Sequence, residues 1–455
     1  MHNPPHRPPH RPTRRAALLG AAALLAGCDT ITDTADSIFG DTKTRLPGDR
    51  RPVLSTDRRL EVDEGARQAV TLPPPTAHAD WPQAGAGVGH APGNPALGAP
   101  LAEAWRVSVG TGSGYRRRLV ASPISDGRML YTIDAEGQVM ASDVANGRRA
   151  WRFDTTPKED RDGQLGGGLG LADGVLYCVT GLAEAMALNP ADGSVKWRVK
   201  LPAPARGAPT IANGRVFVPT IQNQVVALKT ADGEKLWTHT GQPVVAMALG
   251  MPAPAVDGDT VVAGLASGEI VALRATDGRP IWTETLGSGN RGNSLADIAG
   301  VSGLPVIDRG RVFVTAQGGS TVALDLRSGR RLWERDVPSA ETPWVVGDWL
   351  FLLTAQMEVA CLGRNDGRVR WLRALPRWKD EARRRDPITW GGPVVAGGRL
   401  LVTSNQGEML ELAVADGAPI SRLKLPSPAL LAPAIFGGTL YLLTETADLV
   451  AIRGA

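Results

Sequence analysis

Cysteine is scarce in this chain, no apolar run is long enough to cross a bilayer, and net charge vanishes once the first residues are set aside. There are three cysteines in 455 residues. Two of them, Cys178 and Cys361, lie in apolar strand-like sequence, Tyr177-Cys178-Val179 and Ala360-Cys361-Leu362. No Cys/His grouping has the spacing of a zinc site, so no metal is expected. The apolar stretch Ala16 to Gly27 spans 12 residues, short of the ~20 that a membrane-crossing helix needs. Residues 1–27 contain Arg7, Arg11, Arg14 and Arg15 and no acid. Removing those four charges from the formal +4 leaves zero, which argues against a basic protein that seeks nucleic acid.

What the chain does have is a repeat. Val226-Ala227-Leu228 is followed by Asp232-Gly233 and Trp237, and the pattern returns at Val271-Ala272-Leu273 with Gly278 and Trp282, and at Val322-Ala323-Leu324 with Gly329 and Trp333. The turn glycines are Gly147, Gly193, Gly233, Gly278, Gly329, Gly367 and Gly417. Four residues after each stand Trp151, Trp197, Trp237, Trp282, Trp333, Trp371 and, in the last case, Ser421. A period of roughly 40–50 residues with turn glycines and aromatics indicates repeated four-stranded units. Each unit reads as an inner strand, a second apolar strand such as Arg215-Val216-Phe217-Val218, the V-A-L strand, and an outer strand carrying Trp. Alternating polarity suggests strands with one face on the neighbouring unit. The Asp-Gly and Asn-Gly pairs supply the positive φ of tight turns. Each Trp is expected to pack against the next unit.

Two halves are left over. Trp105 has no preceding repeat, and Val450-Ala451-Ile452 has no following Trp. They complement each other, so the Trp105 strand should complete the unit begun by residues 430–455. The expected fold is all-β: an eight-bladed β-propeller of four-stranded antiparallel blades, closed by pairing N-terminal and C-terminal strands. A capped solenoid does not explain why each terminus lacks the half that the other has. On this count Cys178 and Cys361 fall in the second and sixth blades, too far apart for a disulfide, and both should be buried thiols.

The front end has a different character. Arg14-Arg15 and the apolar stretch have the shape of a signal peptide over residues 1–27. Leu25-Ala26-Gly27-Cys28 resembles the bacterial lipobox. The resemblance implies acylation, palmitate included, at Cys28, and two or more acyl chains give stable anchoring. Thr13-Arg14-Arg15 also resembles a twin-arginine export signal. Residues 28–79 contain much Asp, Thr, Arg and Pro and read as a lipidated, largely disordered tether. The propeller is then expected over residues 80–455.

The repeat resembles that of the pyrroloquinoline-quinone (PQQ)-like propeller superfamily. Within it, the size, lipobox and eight-unit count resemble the BamB family, lipoproteins of the outer-membrane β-barrel assembly machinery. The resemblance implies a non-enzymatic scaffold without a cofactor, on the periplasmic face of the outer membrane. It implies docking on BamA, contact with other machinery subunits and with unfolded outer-membrane proteins, and membrane attachment through the lipid. Asp29 follows the lipidated position, which in enteric bacteria favours inner-membrane retention instead. Docking in the family uses loops at one end of the propeller. One such loop reads L-S-D-V-D, and Leu295-Ala296-Asp297-Ile298-Ala299 aligns with it. Asp297 matches the first acid and Ala299 replaces the second. The companion L-x-L-R loop corresponds to Ala246-Met247-Ala248-Leu249, without the arginine. The implied docking patch is therefore Met247, Leu249 and Asp297. The plain structural alternatives are a core position for Met247 and a turn cap for Asp297.

Three stretches break the rhythm and should be loops: 156–168, 284–303 and 376–390. The last reads either as a short helix anchored by Trp378 or as a solvated excursion. Tyr115-Arg116-Arg117-Arg118 forms a local basic cluster. Loops on a rigid ring are where binding resides. The exposed edges of the Trp-bearing outer strands offer a further route, pairing with an extended client. Two rival functions remain. A quinoprotein dehydrogenase would need a carboxylate base, Ca²⁺ ligands and basic residues around PQQ. Glu184, Glu269 and Glu358 lie near strands but form no such constellation, and no adjacent cysteines are present. The other rival is a propeller that binds a different envelope partner or a polysaccharide.

Overall fold

A computed structural model of the chain describes residues 60–65, 68–115, 117–156, 166–244, 250–286 and 300–454. Cys28, Met247, Leu249 and Asp297 lie outside the described residues. The described chain forms eight four-stranded antiparallel sheets. The first strands of neighbouring sheets approach one another, so they line a central axis and the Trp-bearing strands form the rim. The eighth blade joins Ala434–Phe436, Thr439–Leu443 and Asp448–Gly454 to the N-terminal strand Leu101–Ser108. The two complementary halves therefore meet, with Trp105 opposite Ala451. Cys178 and Cys361 are free, buried thiols in blades 2 and 6. Burial pushes the Cys178 thiol up to about 12.

Only the outer strands alternate in burial. Lys235–Thr240 does so, whereas the second and third strands of the same blade, Arg215–Thr220 and Gln224–Lys229, have continuous buried runs. The one-faced pattern expected for every strand is thus confined to the rim. Inside the ring a blade is covered on both faces by its neighbours, and six apolar clusters fill the spaces between blades.

The repeated Trp is the fastener between blades. Trp151, Trp197, Trp237, Trp282, Trp333 and Trp371 each donate their indole N–H, at 2.8–2.9 Å, to a carbonyl of the next blade: Pro190, Thr230, Ala275, Leu326, Arg364 and Val414. The ring lies on the next blade's turn glycine. A Cβ at Gly278 would sit 2.6 Å from the Trp237 ring, and Gly278 has a φ of +72°. Glycine is thus required twice at that position, for conformation and for clearance.

The exception in blade 7 has a structural counterpart. Ser421 stands opposite a blade that has no turn to receive an indole: in blade 8 the third and outer strands are not joined in sequence, and Gly454 lies against Gly98. The cross-strand pair that is Ala–Trp in six blades and Cys361–Trp371 in blade 6 becomes Glu411–Ser421 in blade 7. Glu411 accepts from the Ser421 hydroxyl and pairs with Arg399, which in turn donates to the carbonyls of Leu97 and Gly98 at the entry to the closing strand. A buried polar clasp stands where an indole would have been.

Two faces follow from the topology. The turns from first to second strand and from third to fourth share one face, here the turn face. The turns from second to third strand and the connections between blades share the other, the loop face. The irregular stretches singled out in the sequence connect one blade to the next, so their described ends lie on the loop face; of 284–303, residues 287–299 lie outside the described residues. Of 156–168, residues 157–165 lie outside the described residues. The 376–390 stretch is neither helix nor unstructured: Trp378–Asp380 pairs with Arg385–Pro387 as a hairpin. Its turn is held by the Asp380 carboxylate, which accepts from the Arg383 N–H, and by positive φ at Arg384.

The boundary at residue 79 also shifts. Residues 60–65 and 68–79, expected within the tether, lie against the propeller. Asp63 accepts from the Val369 N–H and pairs with Arg335, and the Trp349 indole donates to the Thr71 carbonyl. The chain then crosses the turn face, donor Gly437 N–H to the His78 carbonyl, and enters the channel. There it covers the free edges of the inner strands. The backbone N–H of Ser125, Leu171, Ile211, Val256 and Ile307, the same position in blades 1 to 5, is taken by Trp81, Pro82, Gln83, Val88 and Gly89 in turn. The plug, Trp81 to His90, follows the ring rather than pairing as a regular strand.

Candidate docking face and central cup

The loop that carries Met247 and Leu249 precedes blade 4, and the loop that carries Asp297 follows it. Their described stems converge on one turn, Leu265 to Glu269. On the first stem, the Gln242 N–H donates to the Glu269 carboxylate at 2.7 Å, and the Gln242 carbonyl accepts from the Asn223 amide at 2.8 Å. Asn223 also accepts from the Ala266 N–H, and Ser267 donates to Glu269 at 2.6 Å. On the second stem, the Leu286 N–H donates to the Gly268 carbonyl and the Val301 N–H to the Leu265 carbonyl. The structure thus brings together the roots of the two loops that sequence reasoning paired. The residues that do so, Asn223, Ser267 and Glu269, were missed as a group. Their one signal was Asn223 at a turn, where φ is +57°. Glu269 braces a loop stem. Glu184 likewise pairs with Arg198.

Elsewhere on the same face, Tyr115 is fully exposed beside a groove lined by Arg118, Asn405, Leu430 and Glu445. The basic cluster there is partly balanced: Arg117 pairs with Glu136, and Arg118 lies 3.8 Å from Glu445. Arg116 lies outside the described residues.

The central channel is closed from the turn face by the plug and opens toward the loop face as a small cup. Trp81, Gly85 and His90 belong to the plug and line it; Ser122, Leu304, Glu341, Trp344 and Pro433 come from the surrounding blades. His90 is 3% exposed, with Nδ1 2.8 Å from the Pro305 carbonyl, and burial lowers its pKa to about 4. Burial raises the Glu341 carboxyl to about 7, against the opposing effect of a 3.3 Å hydrogen bond from the Gly392 N–H. No group of three or more metal-ligating side chains occurs among the described residues.

An eight-bladed ring with Trp-docked blades and a sequence-repeated A-L…G…W signature defines a PQQ-like propeller. A family model described as outer membrane protein assembly factor BamB matches residues 135–373 and 376–455. The chain belongs to that family. Outer membrane protein assembly factor BamB of Xanthomonas campestris pv. campestris is 31% identical over 355 residues, 77% of this chain and 85% of the relative. Its counterpart in Yersinia pestis is 26% identical over 337 residues, 73% of this chain and 83% of the relative. The crystal structure of BamB from Moraxella catarrhalis superposes with a TM-score of 0.64 at 20% identity, covering 78% of this chain and all of that one. Quinohemoprotein alcohol dehydrogenase from Comamonas testosteroni shares the fold, with a TM-score of 0.63 at 14% identity, over 84% of this chain and 81% of that one.

Proposed function

We propose that this chain is a non-enzymatic scaffold lipoprotein of the outer-membrane β-barrel assembly machinery, anchored through Cys28 on the periplasmic face of the outer membrane. It docks on BamA with the loop face around blade 4 and helps deliver unfolded outer-membrane proteins. The observation that carries this reading, beside family membership, is the convergence of the two loop stems on the Leu265–Glu269 turn. A braced pair of adjacent loops suits protein docking, in which positioned side chains meet a partner. The course of residues 60–101 supports it too. The described chain starts at the rim of blade 6 and crosses the turn face, so residues 60–79 leave the loop face clear. The plug supports a scaffold over a PQQ enzyme: the channel in which such an enzyme would hold its quinone is taken up by residues 81–90 of the chain itself. Fold likeness to a dehydrogenase does not bring its chemistry.

Asp297→Arg should weaken capture of the BamA periplasmic domains by the purified protein, and Met247→Asp should do the same. Wild-type capture by both variants would refute the assignment of the docking patch.

A further inference from the structure

The cup at the mouth of the channel has a composition that calls for a ligand. Its volume is about 60 Å³, whereas an apolar cavity of about 150 Å³ is what holds benzene. It therefore admits the end of an unbranched chain rather than a ring. Two indoles line it, Trp81 and Trp344, and no Lys or Arg does. The titratable side chains lining it are His90 and Glu341. Glu341 makes no ion pair among the described residues, and one long hydrogen bond, from Gly392, reaches its carboxylate. His90 gives its Nδ1 proton to the Pro305 carbonyl, which leaves Nε2 as an acceptor packed inside the wall of the cup. That atom is buried and has no partner. A half-buried carboxylate without a counter-charge on the wall of an apolar cup is costly.

We propose that the cup binds a primary alkylammonium group: its N–H bonds would meet the Glu341 carboxylate, with the alkyl stem between the indoles of Trp81 and Trp344. Each feature has a matching part in that ligand. The carboxylate accepts from a cation with three donors. The aromatic lining suits both the cation and its stem. An alcohol of the same length offers one donor and no charge, and a carboxylic acid would meet Glu341 with like charge. The proposal is independent of the docking surface around blade 4. Lysine side chains and free alkylamines share this chemistry.

Calorimetric titration of the full mature protein at pH 8 with n-butylammonium and, separately, 1-butanol tests it. The ammonium should bind at least about tenfold more tightly than the alcohol, the range expected for a charge-assisted hydrogen bond. Its affinity should rise as pH increases through about 7, where Glu341 ionises, while the amine stays protonated. Glu341→Gln should remove both the preference and the pH dependence. Equal affinity for the two ligands in the wild type, or an undiminished preference in Glu341→Gln, would overturn the proposal. The wild-type comparison decides even where the variant folds poorly. N-acetyl-lysine methylamide, titrated in parallel, assigns the source: binding as tight as n-butylammonium identifies a lysine side chain, and weaker binding a free amine.

Discussion

The clasp in blade 7 offers a sharp test of how the ring is closed. Arg399 is 7% exposed and Glu411 4%. The guanidinium holds the Glu411 carboxylate and the carbonyls of Leu97 and Gly98. Glu411→Ala leaves a cation among carbonyls with no counter-charge, and it removes the acceptor of the Ser421 hydroxyl. Breaking a buried pair from one side costs about 3–5 kcal/mol. Removing both charges in Arg399→Met/Glu411→Leu should cost less than half as much, because apolar replacements of a buried pair are often close to neutral. The partly exposed pair Arg422–Glu408 is the internal control, and Glu408→Ala should cost less than about 1 kcal/mol. Urea unfolding followed by tryptophan fluorescence gives the three differences. Hydrogen exchange locates them: in Glu411→Ala the strand Leu101–Ser108 should lose protection before the other outer strands. The reasoning fails if Glu411→Ala costs no more than Glu408→Ala, or if the double variant is as damaged as the single one.

Two further outcomes follow from the same geometry. Gly278→Ala forces a Cβ to within 2.6 Å of the Trp237 ring, whereas Gly174→Ala, at a similar φ of +68°, meets nothing within 4 Å. The first should cost at least about 1–3 kcal/mol more than the second by thermal unfolding, the overpacking component alone; equal losses would mean that conformation, not Trp clearance, fixes the glycine. Acid and base should act on the cup in opposite senses. His90 has a folded pKa of about 4, below the 6.5 of an unperturbed histidine, so its contribution is full above pH 6.5 and is lost as pH falls toward 4. Glu341 is raised from 4.5 to about 7, so its contribution is full below pH 4.5 and is lost as pH rises through 7. Glu341→Gln should therefore raise the unfolding temperature relative to wild type at pH 8, by the equivalent of roughly 1–3 kcal/mol, and leave it unchanged at pH 4. A variant equally stabilised at both pH values would contradict the assignment.

The architecture was legible because its fasteners are written at fixed offsets. Ala227, Gly233 and Trp237 stand at positions whose roles are cross-strand partner, docking turn and indole, and the same three roles recur around the ring. The orphan Trp105 and the missing Trp at Ser421 were both visible. Only the first was interpretable from sequence, since Glu411 and Arg399 become partners through strand pairing and a contact with residues some 300 positions away. The plug was illegible for a related reason. Trp81, Pro82, Gln83, Val88 and Gly89 bond to edges in five different blades, and that leaves no period in the sequence. Residues 60–79 looked like tether because a chain that borrows partners from a finished surface needs no apolar rhythm of its own. At the candidate site, the two loops were identified by resemblance, but the Asn223–Ser267–Glu269 brace depends on a turn lying between their roots. The cup combines residues from the plug and from blades 1, 5, 6, 7 and 8, so only the folded ring assembles it.

The central claim is that the loop face around blade 4 is the docking surface, with the turn face directed elsewhere. Photo-crosslinking in cells addresses it most directly, with the crosslinker placed at Gln242 or Ser302 on the loop face and at Gly174 or Gly258 on the turn face. The account predicts crosslinks to BamA from the first two positions and none above background from the other two. Crosslinks to BamA from the turn-face positions, with none from Gln242 or Ser302, would contradict it.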